Sequence, residues 1–168
     1  GGNTIPLAPC DDFVLSARAD RSERLRDSRY AIIDFKTGQP PSNKTIFAGF
    51  SPQLTLEAAM LMKGAFKDVG KAAETPDLMH VHLGGPRNPL KPVEVAPPAK
   101  DETRSVADLV SEHLRGLEGL LRRYATGEVG YLSRPYPQFA KRFSSYDHLA
   151  RVKEWSATGG EGGGEDGE

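Results

Sequence analysis

The sequence predicts an α/β fold, a small mixed sheet flanked by helices. Three observations carry that expectation. The run Tyr30-Ala-Ile-Ile33 leads into Asp34-Phe35-Lys36 and stops at Thr37-Gly38, the pattern of a strand buried on both faces. From Val106 to Tyr124, apolar residues recur at helical spacing. Between and around these segments the order reads strand, strand, helix, strand, helix, which suits a layered α/β core. The chain has 168 residues, 38% of them hydrophobic, and a net charge of −1, enough for one domain with a real core.

Taken in order, Thr4 to Leu7 reads as an edge strand. Phe13 to Arg21 alternates, with Phe13, Leu15, Ala17 and Ala19 on one face and Ser16, Arg18 and Asp20 on the other. Arg26-Asp27-Ser28-Arg29 is turn-like and separates this strand from Tyr30–Lys36. Ile32, Asp34 and Lys36 share one face of the second strand. A carboxylate and an amine at the end of a central strand are kept there as a pair or for chemistry. An antiparallel hairpin centred near Asp27 sets Asp20 opposite Asp34, with Cβ atoms about 5 Å apart. Carboxylates that close repel unless a cation lies between them, and oxygen donors suit Mg²⁺ or Mn²⁺. A one-residue slip sends Asp20 to the other face, which leaves a surface hairpin with an ordinary Asp34–Lys36 pair as the alternative.

Gly38 to Phe50, with Pro40-Pro41 and Asn43-Lys44, reads as a surface loop. Ser51 and Pro52 read as the N-cap and first residue of a helix running to about Phe66. Leu54, Ala58, Leu61 and Ala65 form its apolar stripe, while Gln53 and Glu57 share another face. Lys63 to Asp77 is a connecting segment. Leu78 to Leu83 alternates as the next strand, closed by Gly84-Gly85-Pro86. His80 and His82 point the same way on it; without a third ligand nearby they read as strand-surface histidines. Arg87 to Lys100 is proline-rich and reads as an extended crossover or linker. The helix from Val106 to Tyr124 packs through Val106, Val110, Leu114, Leu117, Leu121 and Tyr124, with Asp108, Glu112, Arg115 and Arg122 outside. Tyr131 to Phe143 is rich in proline and aromatics, either packed locally or offered as a stacking platform for single-stranded DNA. Tyr146 to Trp155 reads as a short helix, and the Gly/Glu-rich tail from Thr158 to Glu168 lacks the apolar residues to fold alone.

Several function classes are excluded or restricted. No apolar run approaches the roughly 18 residues of a membrane span, so no membrane partner is expected. The single cysteine, Cys10, cannot form an intrachain disulfide or a cysteine-based zinc site. A near-neutral charge argues against strong unaided binding to duplex DNA, so any DNA contact must come from a local patch or a partner. Arg18, Arg21, Arg24, Arg26 and Arg29 give the first hairpin a basic edge, either a solvated face paired with Glu23 and Asp27 or a phosphate-contacting one.

Ala17-Arg-Ala-Asp20-Arg21, Ile32-Ile-Asp34-Phe-Lys36-Thr-Gly38 and Pro52-Gln53-Leu-Thr-Leu-Glu57 follow one another in an order that resembles RecB-type nucleases of the PD-(D/E)XK superfamily. Gln39-Pro-Pro41 and Tyr146-Asp-His-Leu-Ala-Arg-Val-Lys-Glu-Trp155 are similar to the C-terminal nuclease domains of AddB-type helicase–nuclease subunits in their alphaproteobacterial form. The resemblance covers roughly residues 3 to 156, within a domain read as residues 1–157. It implies a restriction-endonuclease-like core and metal-dependent hydrolysis of DNA in bacterial double-strand-break repair. The implied cofactor is Mg²⁺ or Mn²⁺. The implied partners are DNA, an AddA-type helicase–nuclease subunit and the rest of an AddB-type chain, in the bacterial cytoplasm. Asp20 and Asp34 would bind the metal with the backbone carbonyl of Phe35, Lys36 would act on the attacking water and the phosphate, and Gln53 would reach the same site. Arg21 and Lys44 are the candidate DNA contacts. Some such nucleases hold an iron–sulfur cluster on four cysteines; with one cysteine, no cluster is expected here. Such nucleases carry a preceding helix with a histidine and often an acidic residue. That helix has no counterpart in the sequence, so the chain is expected to be a piece of a larger protein. The alternative is a non-catalytic, DNA-guiding or structural module with the nuclease fold.

Overall fold

A computed structural model describes residues 3–7, 10–85 and 90–130, with the backbone alone described for residues 10–12. The contacts divide the chain after Val129, and the described structure is that of the first unit. The expected aromatic segment from Tyr131, the helix Tyr146–Trp155 and the tail lie outside the described residues. None of the helices described is long and apolar enough to cross a membrane.

Strands β1 (Asn3–Leu7) and β2 (Cys10–Ala17) form an antiparallel pair of their own. Strands β3 (Arg21–Arg24), β4 (Tyr30–Lys36), β5 (Asp77–His82) and β6 (Lys91–Glu94) form a four-stranded sheet in that order. β4 is antiparallel to β3 and parallel to β5, and β6 returns antiparallel, so the sheet is mixed. Helices α1 (Asn43–Phe47) and α2 (Gln53–Met62) make the crossover between the parallel pair, and α3 (Val106–Ala125) follows β6.

The expected strand Phe13–Arg21 is two strands. The chain leaves the first sheet after Ala17 and joins the second at Arg21, because β2 pairs with β1 whereas β3 pairs with β4. The hairpin itself has the expected centre. Arg24 pairs with Tyr30 and Arg21 with Ile33, a register symmetric about Asp27. Its tip is a three-residue loop closed by Leu25 N–H to Arg29 O (2.8 Å) and Ser28 N–H to Leu25 O (3.0 Å). Ser28 takes the left-handed conformation at φ 67°, the place such loops usually give to glycine.

β4 is buried on one face and not on both. Tyr30, Ile32 and Asp34 are buried, Ala31 and Ile33 are half-buried, and Phe35 is 38% exposed. The buried face is the one α2 covers, packing against both β4 and β5. Seven of the ten α2 residues are buried, far more than a single stripe, because α2 also packs against α3. The helix stops four residues earlier than expected. Gly64, at φ 78°, reverses the chain, with Gly64 N–H to Leu61 O and Ala65 N–H to Met60 O, both 3.0 Å, closing the last turn. Pro52, not Ser51, occupies the cap position, and it makes no side-chain cap bond.

Two expected loops contain elements. Ser42 caps the short helix α1, accepting from Thr45 N–H at 3.1 Å. The proline-rich segment supplies β6, whose Pro92 is tolerated because the strand lies at the sheet edge. α3 opens with a reciprocal capping box between Ser105 and Asp108. Its Leu109 and Val110 are buried, while Leu114, Leu117 and Leu121 pack against the core and stay partly exposed.

Candidate active site

The site gathers at the C-terminal end of β4, where the strand hands over to the α1–α2 crossover. Strand alternation sends Asp34 inward beneath α2, leaving it 2% exposed. Lys36, two residues on, projects on the same side with its side chain 34% exposed. Gln53, the first residue of α2, arrives at the same point. Lys36 Nζ donates to Asp34 Oδ1 (3.0 Å) and to Gln53 Oε1 (3.1 Å), and lies 2.9 Å from Asp34 Oδ2. The Gln53 amide therefore has one workable orientation, carbonyl toward the lysine. Its Nε2 donates to Asp34 Oδ1 at 2.9 Å and to Glu57 Oε1 at 3.3 Å.

Asp20 joins from the other strand. It sits one residue before β3, level with Asp34 by continuation of the register, and is exposed. Its Oδ2 accepts the Phe35 backbone N–H at 2.9 Å, replacing a ladder bond. In an antiparallel pair a residue turns both N–H and C=O to the same neighbour, so the Phe35 carbonyl faces the Asp20 side.

His80 corrects the expectation of a strand-surface histidine. It is 2% exposed, and its Nδ1 lies 2.9 Å from Asp34 Oδ2. The parallel register places the two residues side by side, and His80 shares the inward face with buried Leu78. Facing a carboxylate, Nδ1 carries the proton and donates. The parity with Leu78 was visible in the sequence; the parallel neighbour was not. His82 stands beside Lys36 in the same register and is half-buried.

Glu57 is the second residue that the sequence left without a role. It is 5% exposed, and burial pushes its carboxyl above the usual range, with Asp34 and Asp20 adding to that rise. Gln53 and Lys36 oppose the shift. Its Oε2 is buried without a hydrogen-bond partner.

The structure does not bring Arg21 or Lys44 into this cluster. Arg21 pairs with Ile33, so it lies on the sheet face opposite Asp34, and its guanidinium is bonded to Glu23. Lys44 is exposed on α1. In the hairpin, Arg29 binds Asp27 and Asp77, and it holds the Asp27 carboxyl below its ordinary range.

Among the described residues no three His, Cys, Asp or Glu side chains already converge as a cation cage. The donor set nonetheless fits a small hard ion. Asp20, Asp34 and the Phe35 carbonyl offer oxygen alone, and Mg²⁺ takes one or two carboxylates while keeping several waters. The orphaned oxygen of Glu57 adds a buried acceptor beside them.

The fold is a mixed sheet under helices, with Asp20, Asp34 and Lys36 gathered at one strand end. The comparisons carry this further. Residues 3–134 match the family model described as the PD-(D/E)XK nuclease superfamily. The chain belongs to that superfamily; it is a nuclease domain with a restriction-endonuclease-like fold, of a kind that typically uses divalent metals. Among curated proteins it is similar to an uncharacterized protein of Rickettsia conorii, 28% identical over 83% of this chain and 18% of that one. It is likewise similar to an uncharacterized protein of Rickettsia bellii, 29% identical over 78% of this chain and 16% of the other. A shorter match, 39% identical over 39% of this chain, is to an uncharacterized protein of Rickettsia typhi. The chain thus spans less than a fifth of these relatives' length. No solved structure matches it.

Proposed function

We propose that this domain hydrolyses DNA phosphodiesters with Mg²⁺ or Mn²⁺, as the nuclease of an AddB-type helicase–nuclease subunit. The observation that carries the reading is the Asp34–Lys36–Gln53 cluster with Asp20 bonded across the hairpin to the Phe35 amide. Asp20, Asp34 and the Phe35 carbonyl would hold the ion. When bound, the ion supplies Lewis-acid polarisation of the phosphate and a more acidic water. Lys36 is the residue of the chain that works on the reacting atoms. Its ammonium is partly open to solvent, where a phosphate backbone can approach, and it offsets the negative charge that builds on the phosphoryl oxygens. It also positions the attacking water by donating a hydrogen bond to it. Gln53 is a positioning residue, because its carbonyl fixes the amine and its NH₂ fixes Asp34.

Arg21 and Lys44 are proposed phosphate contacts outside the cluster, acting without sequence readout. An exonuclease working on double-strand-break ends beside an AddA-type subunit in the bacterial cytoplasm is the cellular setting proposed. The test is cleavage of end-labelled linear DNA by the chain with Mg²⁺ or Mn²⁺, with and without chelator, in wild type and Asp34→Ala. Metal-dependent cleavage that disappears in the variant is expected. Retained cleavage in Asp34→Ala overturns the site assignment. DNA binding without turnover by the wild type favours a DNA-guiding module instead.

A further inference from the structure

Glu57 is a buried carboxylate whose surroundings do not account for it. It sits at the fifth position of α2, past the first turn where the helix dipole favours a negative charge. One oxygen accepts a long bond from Gln53, and the other accepts none. An isolated buried carboxylate is strongly disfavoured, and Gln or Met would fill the same space without that cost. The nearby ammonium of Lys36 is committed to Asp34 and to Gln53 Oε1. Yet Glu57 is tied to the cluster, because one Gln53 nitrogen donates to both Asp34 Oδ1 (2.9 Å) and Glu57 Oε1 (3.3 Å).

We propose that Glu57 is a third acidic residue of the divalent-cation site, its unpaired Oε2 accepting a hydrogen bond from a water on the ion held by Asp20 and Asp34. This rests on the nuclease reading and deepens it. The arrangement suits Mg²⁺ or Mn²⁺, which retain water and are gripped partly through it. It leaves inner positions to Asp20, Asp34 and the Phe35 carbonyl. Glu57 supplies charge and orientation from beneath, where α2 closes over the strand end.

The test measures Mn²⁺ binding by calorimetry, and melting temperature with and without Mn²⁺, for the wild-type chain, Glu57→Gln, Glu57→Leu and Asp34→Ala. Gln keeps the size of the side chain and the acceptor for Gln53, so the metal-free melting temperature should not fall. The expected result is a loss of Mn²⁺ affinity of about tenfold or more in Glu57→Gln, as for other residues acting through a metal's outer shell. The metal-induced rise in melting temperature should shrink with it, and Glu57→Leu should lose at least as much. Unchanged affinity in both Glu57 variants, with binding still lost in Asp34→Ala, overturns the inference and leaves the nuclease reading standing. A lowered metal-free melting temperature with unchanged affinity makes Glu57 structural and overturns it as well. A wild type that binds no Mn²⁺ overturns both readings together.

Discussion

Replacing Asp34 should separate two jobs that the structure gives to one side chain. Asp34 is 2% exposed and accepts from Lys36, Gln53 and His80. In Asp34→Ala the buried His80 Nδ1–H is orphaned, at a cost of about 1–3 kcal/mol. Gln53 keeps Glu57 as an acceptor, so its loss is smaller. Lys36 is a third exposed and water can take over its lost contacts, so this pair counts for less than about 1 kcal/mol. Relief from burying a carboxylate works in the opposite direction. The net expectation is a destabilisation of about 2 kcal/mol, most of it at His80. Asp34→Asn should cost less, about 1 kcal/mol, because the amide oxygen still accepts and His80 can move its proton to Nε2. Both variants should lose metal-dependent cleavage. Urea unfolding followed by circular dichroism gives the stabilities, and a double-mutant cycle with His80→Phe isolates the His80 share. If Asp34→Ala unfolds with the wild type, or the cycle finds no coupling between Asp34 and His80, the network does not exist as described.

Further consequences can be checked on the same protein. Ser28→Gly should stabilise by about 1 kcal/mol in urea, since glycine carries no penalty at a left-handed φ. Ser105→Ala should cost about 1 kcal/mol by removing one half of the α3 capping box. His113 is held below its ordinary 6.5 by burial, with Nδ1 2.7 Å from Thr55 Oγ1, whose own proton goes to Pro52 O. A folded-state value below the unfolded one means the contribution is complete above about pH 6.5 and is lost as the unfolded chain takes up the proton below it. The urea midpoint should therefore fall between about pH 7 and pH 5, and His113→Asn should flatten that part of the curve. Glu57 runs with the opposite sign. Its folded-state value is raised above 4.5, so ionisation opposes folding at neutral pH, and metal-free Glu57→Gln should be the more stable chain there, with the gap closing as pH falls toward about 4.5.

What the sequence made legible was local or fixed by a short turn. The hairpin register followed from one centre at Asp27, and with it the level of Asp20 and Asp34. Most of the α3 stripe followed from period, but Leu109, its most buried residue, was not among those expected. What it hid depended on which elements become neighbours. Nothing within Phe13–Arg21 says that the strand changes sheets at Ala17, because alternation is the same on either side of the break. The stripe on α2 was read for one neighbour, and the helix has two. β6 was masked by its prolines, which bar a central strand but not an edge.

His80 and Glu57 show the same limit at the site. Each lies on an element whose type was legible, and each acquires its role from a partner distant in sequence. His80 meets Asp34 across 46 residues because β5 returns parallel to β4, a pairing no local pattern encodes. Glu57 was seen to share a face with Gln53, yet a helix face shared by two polar residues usually means solvent. Here it means the inside of the protein, because α2 docks with its N-terminal turn over the end of β4 and carries Gln53 onto Asp34 and Lys36. Helix docking thus converts a polar face into the floor of a charged site. The same move buries a Glu57 carboxylate oxygen without a hydrogen-bond partner, the feature on which the proposed cation role of Glu57 rests.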